Sequence, residues 1–521
     1  MPATKKVTRR TSKKSTAHLV IKAMAGTGKT STMLDFLNLT FDPNYKTKFE
    51  PTDQQKLIYA EISKVVKASF CAFNKSIAEE LKSKVPVQVD AKTLHALGMG
   101  ILRNNMKIKV NADQTAFYVK EVMGYKTEDR MNRDDFAVMT KVKKVVGLLK
   151  GYLMEASEKN ISYLVSQFGI DLGDDSASIK AMLSKICQIT PKVMELCDNV
   201  DCALKYIDFD DMIYLPAKLG LTTKMFDVLI VDEAQDLNPA QHQIAVSCAE
   251  RVILIGDDRQ AIYGFRGSDS DSINNCVKLL SGEVKELKLT TTWRCPKSHV
   301  EDIKNRVEGL EDFTAAPNAI EGEIHNIKEN EMVDYLSGKS LVMCRTNAPL
   351  CMLAFDLIRL KKPVRIQGRE FGGQLVTLVK KLDTGDGQID TLCARLDDFE
   401  NTEISRISAA NQFSSESQIQ LVQDKCSCVR VLSEGMTSVD ALIKTIQSLF
   451  DDTRKKDQIL LSSVHRAKGL EADDIFIIKP ELMPHPMAKL AWEHEQEQNL
   501  IYVAHTRGLK RKFMVHSEDE E

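Results

Sequence analysis

Two short stretches of this chain carry residue types that together can handle a nucleoside triphosphate. The first, Ala23-Met24-Ala25-Gly26-Thr27-Gly28-Lys29-Thr30, is a glycine-rich turn closing on Gly-Lys-Thr. Backbone N–H groups in such a turn cradle phosphates, the lysine neutralises their outer oxygens, and the threonine hydroxyl binds Mg²⁺. Alanine at position 23 replaces the glycine usual at the start of the pattern. The second stretch is Val231-Asp232-Glu233-Ala234-Gln235-Asp236. Asp232 offers a carboxylate to the same ion, and Glu233 one that orients a water for attack on the γ-phosphate. A lone glycine motif recurs by chance, but an acidic motif on its own strand downstream removes most of that ambiguity. The pair predicts nucleoside triphosphate hydrolysis. Ala25, Gly26, Thr27, Gly28, Lys29, Thr30 and Ser31 are the expected phosphate contacts, with Thr30 and Asp232 as Mg²⁺ ligands.

Each motif needs a rigid strand behind it. Leu19-Val20-Ile21 and Val228-Leu229-Ile230-Val231 are apolar runs of the kind buried in parallel sheets. Such runs alternate with helical stretches in two regions, the pattern of parallel α/β domains. Strands are expected in the first region near Leu19–Lys22, Ala68–Phe73, Val228–Asp232 and Val252–Gly256. In the second they are expected near Glu286–Thr290, Leu341–Cys344, Val364–Gln367, Ile459–Val464 and Ile475–Ile478. Two stretches interrupt this pattern, one helical and charge-rich, the other polar and rich in Ser and Asp. The division that follows is a basic arm over 1–17 and a first α/β domain over 18–98 and 203–283, interrupted by a helical insertion over 99–202. A second α/β domain covers 284–371 and 457–516, with a reduced insertion over 372–456.

Composition narrows the class further. A chain of 521 residues with 43% apolar and 28% charged residues reads as an ordinary globular protein with a large core. No run approaches the roughly eighteen apolar residues of a membrane span, and the start has no apolar signal core. The twelve cysteines are scattered without metal-like spacing, which predicts reduced thiols in an intracellular protein. Net charge of −2 says nothing about partners, so any nucleic acid must meet a local groove. The arm carrying Lys5, Lys6, Arg9, Arg10, Lys13 and Lys14 suits phosphate binding or a nuclear address, and equally a solvated tail.

Four further motifs follow in order. They are Gly256-Asp257-Asp258-Arg259-Gln260-Ala261-Ile262-Tyr263-Gly264-Phe265-Arg266-Gly267, then Thr292-Trp293-Arg294-Cys295-Pro296, then Ser463-Val464-His465-Arg466-Ala467-Lys468-Gly469-Leu470-Glu471, and Leu500-Ile501-Tyr502-Val503-Ala504-His505-Thr506-Arg507. The ordered set resembles the UvrD/Rep-like branch of the superfamily 1 DNA helicases, from about Leu19 to about Val515, with both insertions unmatched. The resemblance implies two RecA-like parallel-sheet motor domains with ATP in the cleft between them. It implies that Arg294 and Arg507 stabilise the transition state, as guanidinium groups that stay charged can do. It gives Gln260 the sensing of the γ-phosphate, Trp293 the stacking on adenine and Glu471 the ribose. The family's adenine-reading glutamine motif has no counterpart upstream of the turn. Pro51-Thr52-Asp53-Gln54-Gln55 resembles that motif displaced, with Gln55 on the base, or is a helix start capped by Thr52 or Asp53.

The same resemblance implies a grip on single-stranded DNA by Phe73, Asn74, Lys75, Thr93, His95, Tyr263, Phe265, Arg266 and His465. Aromatic rings stack on any base at about 1–3 kcal/mol each, and polar groups follow the phosphates. Phe73 also reads as a core residue at a strand edge. Asp208-Phe209-Asp210-Asp211-Met212 resembles a further family element, without assigned chemistry. The expected activity is ATP- and Mg²⁺-dependent translocation from 3′ to 5′ on single strands with unwinding of duplex DNA. Partners would be single-stranded and duplex DNA, with single-strand-binding or replication and recombination proteins. The compact organisation is compatible with a viral or phage replication protein. The short stretch after Arg507 is read as leaving no room for a fused nuclease. The rival readings are a translocase that strips proteins with little unwinding, an ATP-switched nucleic-acid-binding protein, and an RNA motor.

Overall fold

The apolar runs become strands, and within each of two sheets every strand runs parallel. The computed structural model describes residues 17–517 except 43, 127–128, 169, 171, 173–175, 263–270, 410–414, 451–456, 487 and 489–490. The expected arm residues Lys5 to Lys14 and the DNA contacts Tyr263, Phe265 and Arg266 lie outside the described residues.

The first sheet contains β1 (His18–Ala23), β2 (Ala68–Ala72) and β3 (Val89–Thr93). The chain then leaves it and forms a short parallel pair, β4 (Ile108–Val110) with β5 (Lys205–Ile207). It returns through β6 (Phe226–Val231), β7 (Ala249–Gly256) and β8 (Val284–Leu289), giving the order β3-β2-β6-β7-β1-β8. A second two-stranded ladder pairs β9 (Thr291–Thr292) with β10 (Thr314–Ala315). The second sheet contains β11 (Glu323–Lys328), β12 (Ser340–Cys344), β13 (Val364–Ile366), β14 (Ile459–Ser463), β15 (Ala472–Ile478) and β16 (Gly508–His516), in the order β11-β16-β15-β12-β14-β13. Parallel pairing requires crossovers, and helices supply them on both faces. The central strands are correspondingly apolar on both sides. β2 and β12 are buried throughout, as continuous apolar runs should be.

One strand corrects the sequence reading. Val284–Leu289, expected to open the second domain, pairs with β1 from His18↔Val284 to Ala23↔Leu289. The residues Val-Lys-Glu-Leu-Lys-Leu alternate as an edge strand should, and Leu289 is buried in the core beneath β1. Strand pattern identified the element, but which sheet it joins depends on a long-range pairing that the pattern does not encode. β3, β11 and β16 were not anticipated either. β3 is a half-polar run beside β2, and β11 is a charged edge strand.

The first intervening region is helical. The helices Gln114–Val122, Arg133–Tyr152, Glu158–Gln167 and Ser176–Asp198 enclose their own apolar core around Val142, Val146, Leu149 and Leu164. The second contains Arg369–Leu382, Ile389–Ala409, Ser415–Ser433 and Val439–Leu449, and shares one continuous core with the second sheet. Two of the expected boundaries, at 99 and 372, fall inside helices (Leu94–Asn105 and Arg369–Leu382). Among the described residues no helix is long and apolar enough to cross a membrane.

The Asp208–Met212 element, left without chemistry in the sequence, is a buried ionic staple. Asp208 and Asp211 cap each other, the Asp208 N–H donating to Asp211 Oδ2 (3.1 Å) and the Asp211 N–H to Asp208 Oδ1 (3.0 Å). The Lys150 ammonium, from the helical region, sits 2.8 Å from Asp211 Oδ1 and 3.2 Å from Asp208 Oδ2. Burial pushes Asp211 up to about 6 although Lys150 opposes it. Lys150→Met is expected to destabilise the protein by about 3–5 kcal/mol, because two carboxylates would stay buried without their cation. Urea unfolding measures this, and adding Asp211→Asn to the variant should recover part of the loss.

Candidate nucleotide site

Parallel order places the carboxyl ends of β1, β2, β3, β6, β7 and β8 on one edge of the first sheet, the edge where ligands bind in α/β proteins. The turn after β1 leads into α1 (Lys29–Phe41), whose N-cap is Gly28 at φ 81°, ψ 34°. That left-handed conformation disfavours any side chain. A Cβ on Gly28 would have no neighbour within 4 Å, so the turn opens onto free space at the amino end of α1. A Cβ on Gly26 would instead lie 2.6 Å from Thr292 Oγ1 and from Arg294 Cβ. The Trp293 N–H donates to Gly26 O (2.8 Å), while its indole stays 48% exposed and free to stack. Thr27 is buried and turned back onto Met24 O (2.8 Å); Ser31 is exposed.

Charges crowd this edge. Thr30 Oγ1 donates to Asp232 Oδ2 (3.3 Å), and the Lys29 ammonium lies 3.6 Å from Glu233 Oε1. Burial, the largest influence, works to lower Lys29, yet Glu233, Asp257 and Asp232 together hold it above its ordinary range. Burial and the neighbouring Glu233 charge push Asp232 up. Burial would raise Glu233 too, but Lys29, then Lys468, Gln235 and Arg507, hold it below the usual carboxylate range. Glu233 adopts φ 52°, ψ 43°, a left-handed backbone that costs a non-glycine residue about 1–3 kcal/mol. Its N–H donates to Asp232 Oδ1 (2.9 Å), so the two carboxylates are set by one tight turn.

The second sheet reaches into this crowd. The Tyr502 hydroxyl accepts from the Ala25 N–H (2.7 Å) and donates to Asp257 Oδ2 (3.2 Å). Gln260 Nε2 donates to the same oxygen (2.7 Å). Lys468 bridges back to Asp236 Oδ2 (2.5 Å) and Gln260 O (2.7 Å). Arg507 is 1% exposed and donates to the neutral oxygens Val503 O (2.9 Å), Thr506 Oγ1 (2.8 Å) and Leu470 O (3.5 Å). Burial, with Arg294 nearby, lowers it to about 10. A buried guanidinium with neutral acceptors beside Glu233 is suited to meet an anion brought from outside.

Three expected residues are engaged by partners within the protein. Arg294 follows β8 of the first sheet, so it reaches the cleft from the same side as the phosphate turn, and its Nε donates to Glu471 Oε2 (2.8 Å). Glu471 is thereby engaged with an arginine. Gln55 belongs to a capping box: Thr52 is the N-cap of α2 (Asp53–Ala60), and Gln55 Oε1 accepts the Thr52 N–H (2.9 Å). Its Nε2 donates to Thr32 Oγ1 (2.9 Å), so both ends of the amide are held within the protein. Its neighbour Gln54 makes a two-way pair with Thr290 beside β8.

The expected strand contacts after β2 and β3 lie on the same edge of the first sheet. Phe73 after β2 is 47% exposed. Asn74 caps the helix Lys75–Lys82 through Ile77 N (2.9 Å), and Lys75 is exposed at its start. Thr93 caps Leu94–Asn105 through Ala96 N (3.1 Å), His95 is half-buried there, and burial lowers its imidazole. His465 is half-buried after β14 in the second sheet. The sequence reading missed Lys468, Tyr502, Asp257 and Gln235 as parts of the site. Their quoted motifs held the signal, but nothing in a motif says which member faces the cleft.

Two parallel α/β sheets with a glycine-rich phosphate turn at the carboxyl edge of the first place the chain in the phosphate-loop class of folds. A family profile described as "UvrD/REP helicase N-terminal domain" matches residues 4–280, and one described as "UvrD-like helicase C-terminal domain" matches 458–515. The chain belongs to the UvrD/REP helicase family. It is similar to "F-box DNA helicase protein 1" of Schizosaccharomyces pombe, at 23% identity over 95% of this chain and 55% of that protein. "F-box DNA helicase 1" of Gallus gallus is 24% identical over 95% of this chain and 47% of its own length. "ATP-dependent DNA helicase Rep" of Buchnera aphidicola is 22% identical over 48% of this chain and 35% of that protein. The chain thus spans about half the length of the two F-box relatives.

The helix carrying Tyr502 is pinned by charge. His505 Nδ1 is 3.1 Å and Lys512 Nζ 2.7 Å from Asp302 Oδ2, and His299 packs beside them. Burial, aided by Lys512, depresses both His505 and His299 to about 4. Their unfolded values lie near 6.5, so between about pH 6.5 and 4 the unfolded chain binds more protons. Stability is therefore expected to fall as pH drops through that window and to level off below it for these two groups. Thermal unfolding from pH 7.5 to 4.5 tests this, and His505→Gln should flatten the slope.

Proposed function

We propose that this chain is an ATP-dependent DNA helicase that moves along single-stranded DNA from 3′ to 5′ and opens duplexes in replication, repair or recombination. The observation that carries the reading is the placement of Arg507. It comes from the second sheet's side and is buried with neutral acceptors close enough to lower Glu233, at the mouth of a phosphate turn on the first. A terminal phosphate between Lys29 and Arg507 would be an anion shared by both lobes, so its arrival and loss would change how they pack.

In this reading the two sheets are RecA-like motor domains and the two helical regions are insertions. The N–H groups of Gly26, Gly28 and Lys29 hold the phosphates, and those of Ala25 and Thr27 join them only after leaving the Tyr502 hydroxyl and Met24 O. Glu233, kept ionised by Lys29 and Lys468, orients the attacking water. The Gln260 amide, now held by Asp257, turns to the γ-phosphate when the lobes tighten. Thr30 and Asp232 fit Mg²⁺, since a hydroxyl and a carboxylate whose buried charge is otherwise costly converge at 3.3 Å. Bound there, the ion would neutralise charge developing on the β- and γ-oxygens. Trp293 stacks on the base. Glu471 reaches the ribose only after leaving Arg294, and Gln55 only after leaving its cap. Phe73, Asn74, Lys75, Thr93, His95 and His465 hold the strand, with Tyr263, Phe265 and Arg266 joining them by resemblance. Names of the relatives, all DNA helicases, support DNA over RNA.

Strand displacement from duplexes with a single 3′ or 5′ tail, with ATP and Mg²⁺, tests this. Displacement is expected from the 3′ tail alone. Glu233→Gln should slow turnover by about 10²–10⁴-fold, the weight of a positioned general base, and Lys29→Ala should abolish it. Turnover stimulated by single strands without displacement would replace unwinding with protein-stripping translocation. Turnover indifferent to nucleic acid would overturn the motor.

A further inference from the structure

The turn that carries Gln260 belongs to the first lobe by chain and to the second by contact. Asp258–Gln260 form a single tight turn after β7, closed by the Gln260 N–H on Asp257 O (2.8 Å) and the Ala261 N–H on Asp258 O (3.2 Å). Each residue from Asp257 to Ala261 is held from the far side of the cleft. The Tyr502 hydroxyl donates to Asp257 Oδ2, and Lys468 donates to Gln260 O. Asn499 Nδ2 lies 3.0 Å from Ala261 O and 3.5 Å from Asp258 O. One amide, with two hydrogens to donate, thus faces both ends of the turn. Arg259 Nη2 donates to Gly309 O (3.0 Å).

Gly309 follows the helix Lys297–Arg306, and its neighbours Val307, Leu310 and Phe313 are buried with Leu341, Met343 and Ile475 of the second sheet. Its φ is 71°, and a Cβ there would lie 2.5 Å from Arg259 Nη2, so glycine is what lets the guanidinium approach. Ile262, fully buried, then enters the same apolar cluster. Toward its own lobe the turn has the Asp257 N–H on Gln235 Oε1 (3.0 Å) and a Lys22–Asp258 pair at 3.9 Å. A shift of the second lobe therefore carries this turn along. Were the turn left behind, it would lose partners for buried carbonyls, at about 1–3 kcal/mol each.

We propose that Asn499 is a positioning residue for Gln260: it fastens the turn Asp258–Ala261 to the second lobe, so that Gln260 meets the terminal phosphate in the second lobe's frame. The inference rests on the γ-phosphate role given to Gln260 above and adds the group that aims it. Asn499 is 7% exposed, on the helix Ala491–His505 that also carries Tyr502. Both of its acceptors are backbone oxygens of the turn, so it acts on where the turn stands and not on nucleotide. The Gln260 amide, resting on Asp257 Oδ2 (2.7 Å), can swing only from a backbone that Asn499 and Lys468 hold in place. A side chain aimed at a reacting group needs such support, because a small misplacement is costly in rate.

Asn499→Leu in the full chain tests this through ATP hydrolysis with Mg²⁺ and without nucleic acid, beside Gln260→Ala and the double variant. Turnover at saturating ATP should fall about tenfold, as hydrogen bonds to two carbonyls are lost, while the KM for ATP stays at the parent value. Adding Asn499→Leu to Gln260→Ala should cost no more than about a further twofold, because the first residue acts through the second. Thermal unfolding identifies which variants fold. Should Asn499→Leu unfold, Arg259→Met frees the turn from Gly309 and carries the same expectation. Parent turnover in a folded Asn499→Leu overturns the proposal. So do losses that multiply in the double variant, which would make Asn499 merely structural. A Gln260→Ala protein with parent turnover would instead overturn the role given to Gln260, and the inference with it.

Discussion

Parallel strand pairing is the constraint on which the rest of this molecule depends. With every strand of a sheet aligned, all carboxyl ends emerge on one edge, and segments hundreds of positions apart in sequence become neighbours. The phosphate turn after β1, the carboxylates after β6, Asp257 after β7 and Trp293 after β8 converge for that reason alone. An antiparallel arrangement of the same strands would send half of them to the opposite edge. The helices that parallel crossovers demand also bury both faces of each sheet, giving the edge a stiff base.

That stiffness matters because the edge concentrates groups that resist being together. Lys29, Asp232, Glu233 and Asp257 lie in a space with little water, where each charge depends on its neighbours to remain charged. Lys29 lies above its ordinary range only because three carboxylates outweigh its burial. Glu233 stays ionised because lysines from both sheets face it. Such a cluster is a poor source of stability, since desolvation offsets much of the attraction. It is a suitable place to bind a highly charged phosphate and a divalent ion. The strained backbone at Glu233 belongs to the same economy, being held by Gln235, by the Asp232 carboxylate and by the packing of Gly256.

Contacts between the lobes at the cleft combine polar bonds with an apolar cluster, in which Met24, Ala25 and Ile262 join Val464, Ala467 and Tyr502. Tyr502 reaches Ala25 and Asp257, Lys468 reaches Asp236 and Gln260, and Asn499 Nδ2 reaches Ala261 O (3.0 Å). Hydrogen bonds of this kind exchange readily with a ligand or water.

The sequence by itself determined the parallel α/β class of fold and the residue types gathered at the site. Gly26, Gly28, Lys29, Thr30, Asp232 and Glu233 could be named because their backbone and charge requirements are local: a left-handed turn, a helix start, a carboxylate at a strand end. The apolar runs behind them were legible as buried strands for the same reason. Only the tertiary structure decided the partnerships. β8 reads as a strand in either domain, and its pairing with β1 transfers Arg294 to the phosphate side of the cleft. Gln55 reads equally as a base-reading amide or as a cap, and Thr32 and Thr52 engage both its ends. Asp208 and Asp211 had no visible role until Lys150 arrived from another helix. Residue type limits what a side chain can do, but which charge or amide meets which depends on distances set by the whole packed chain.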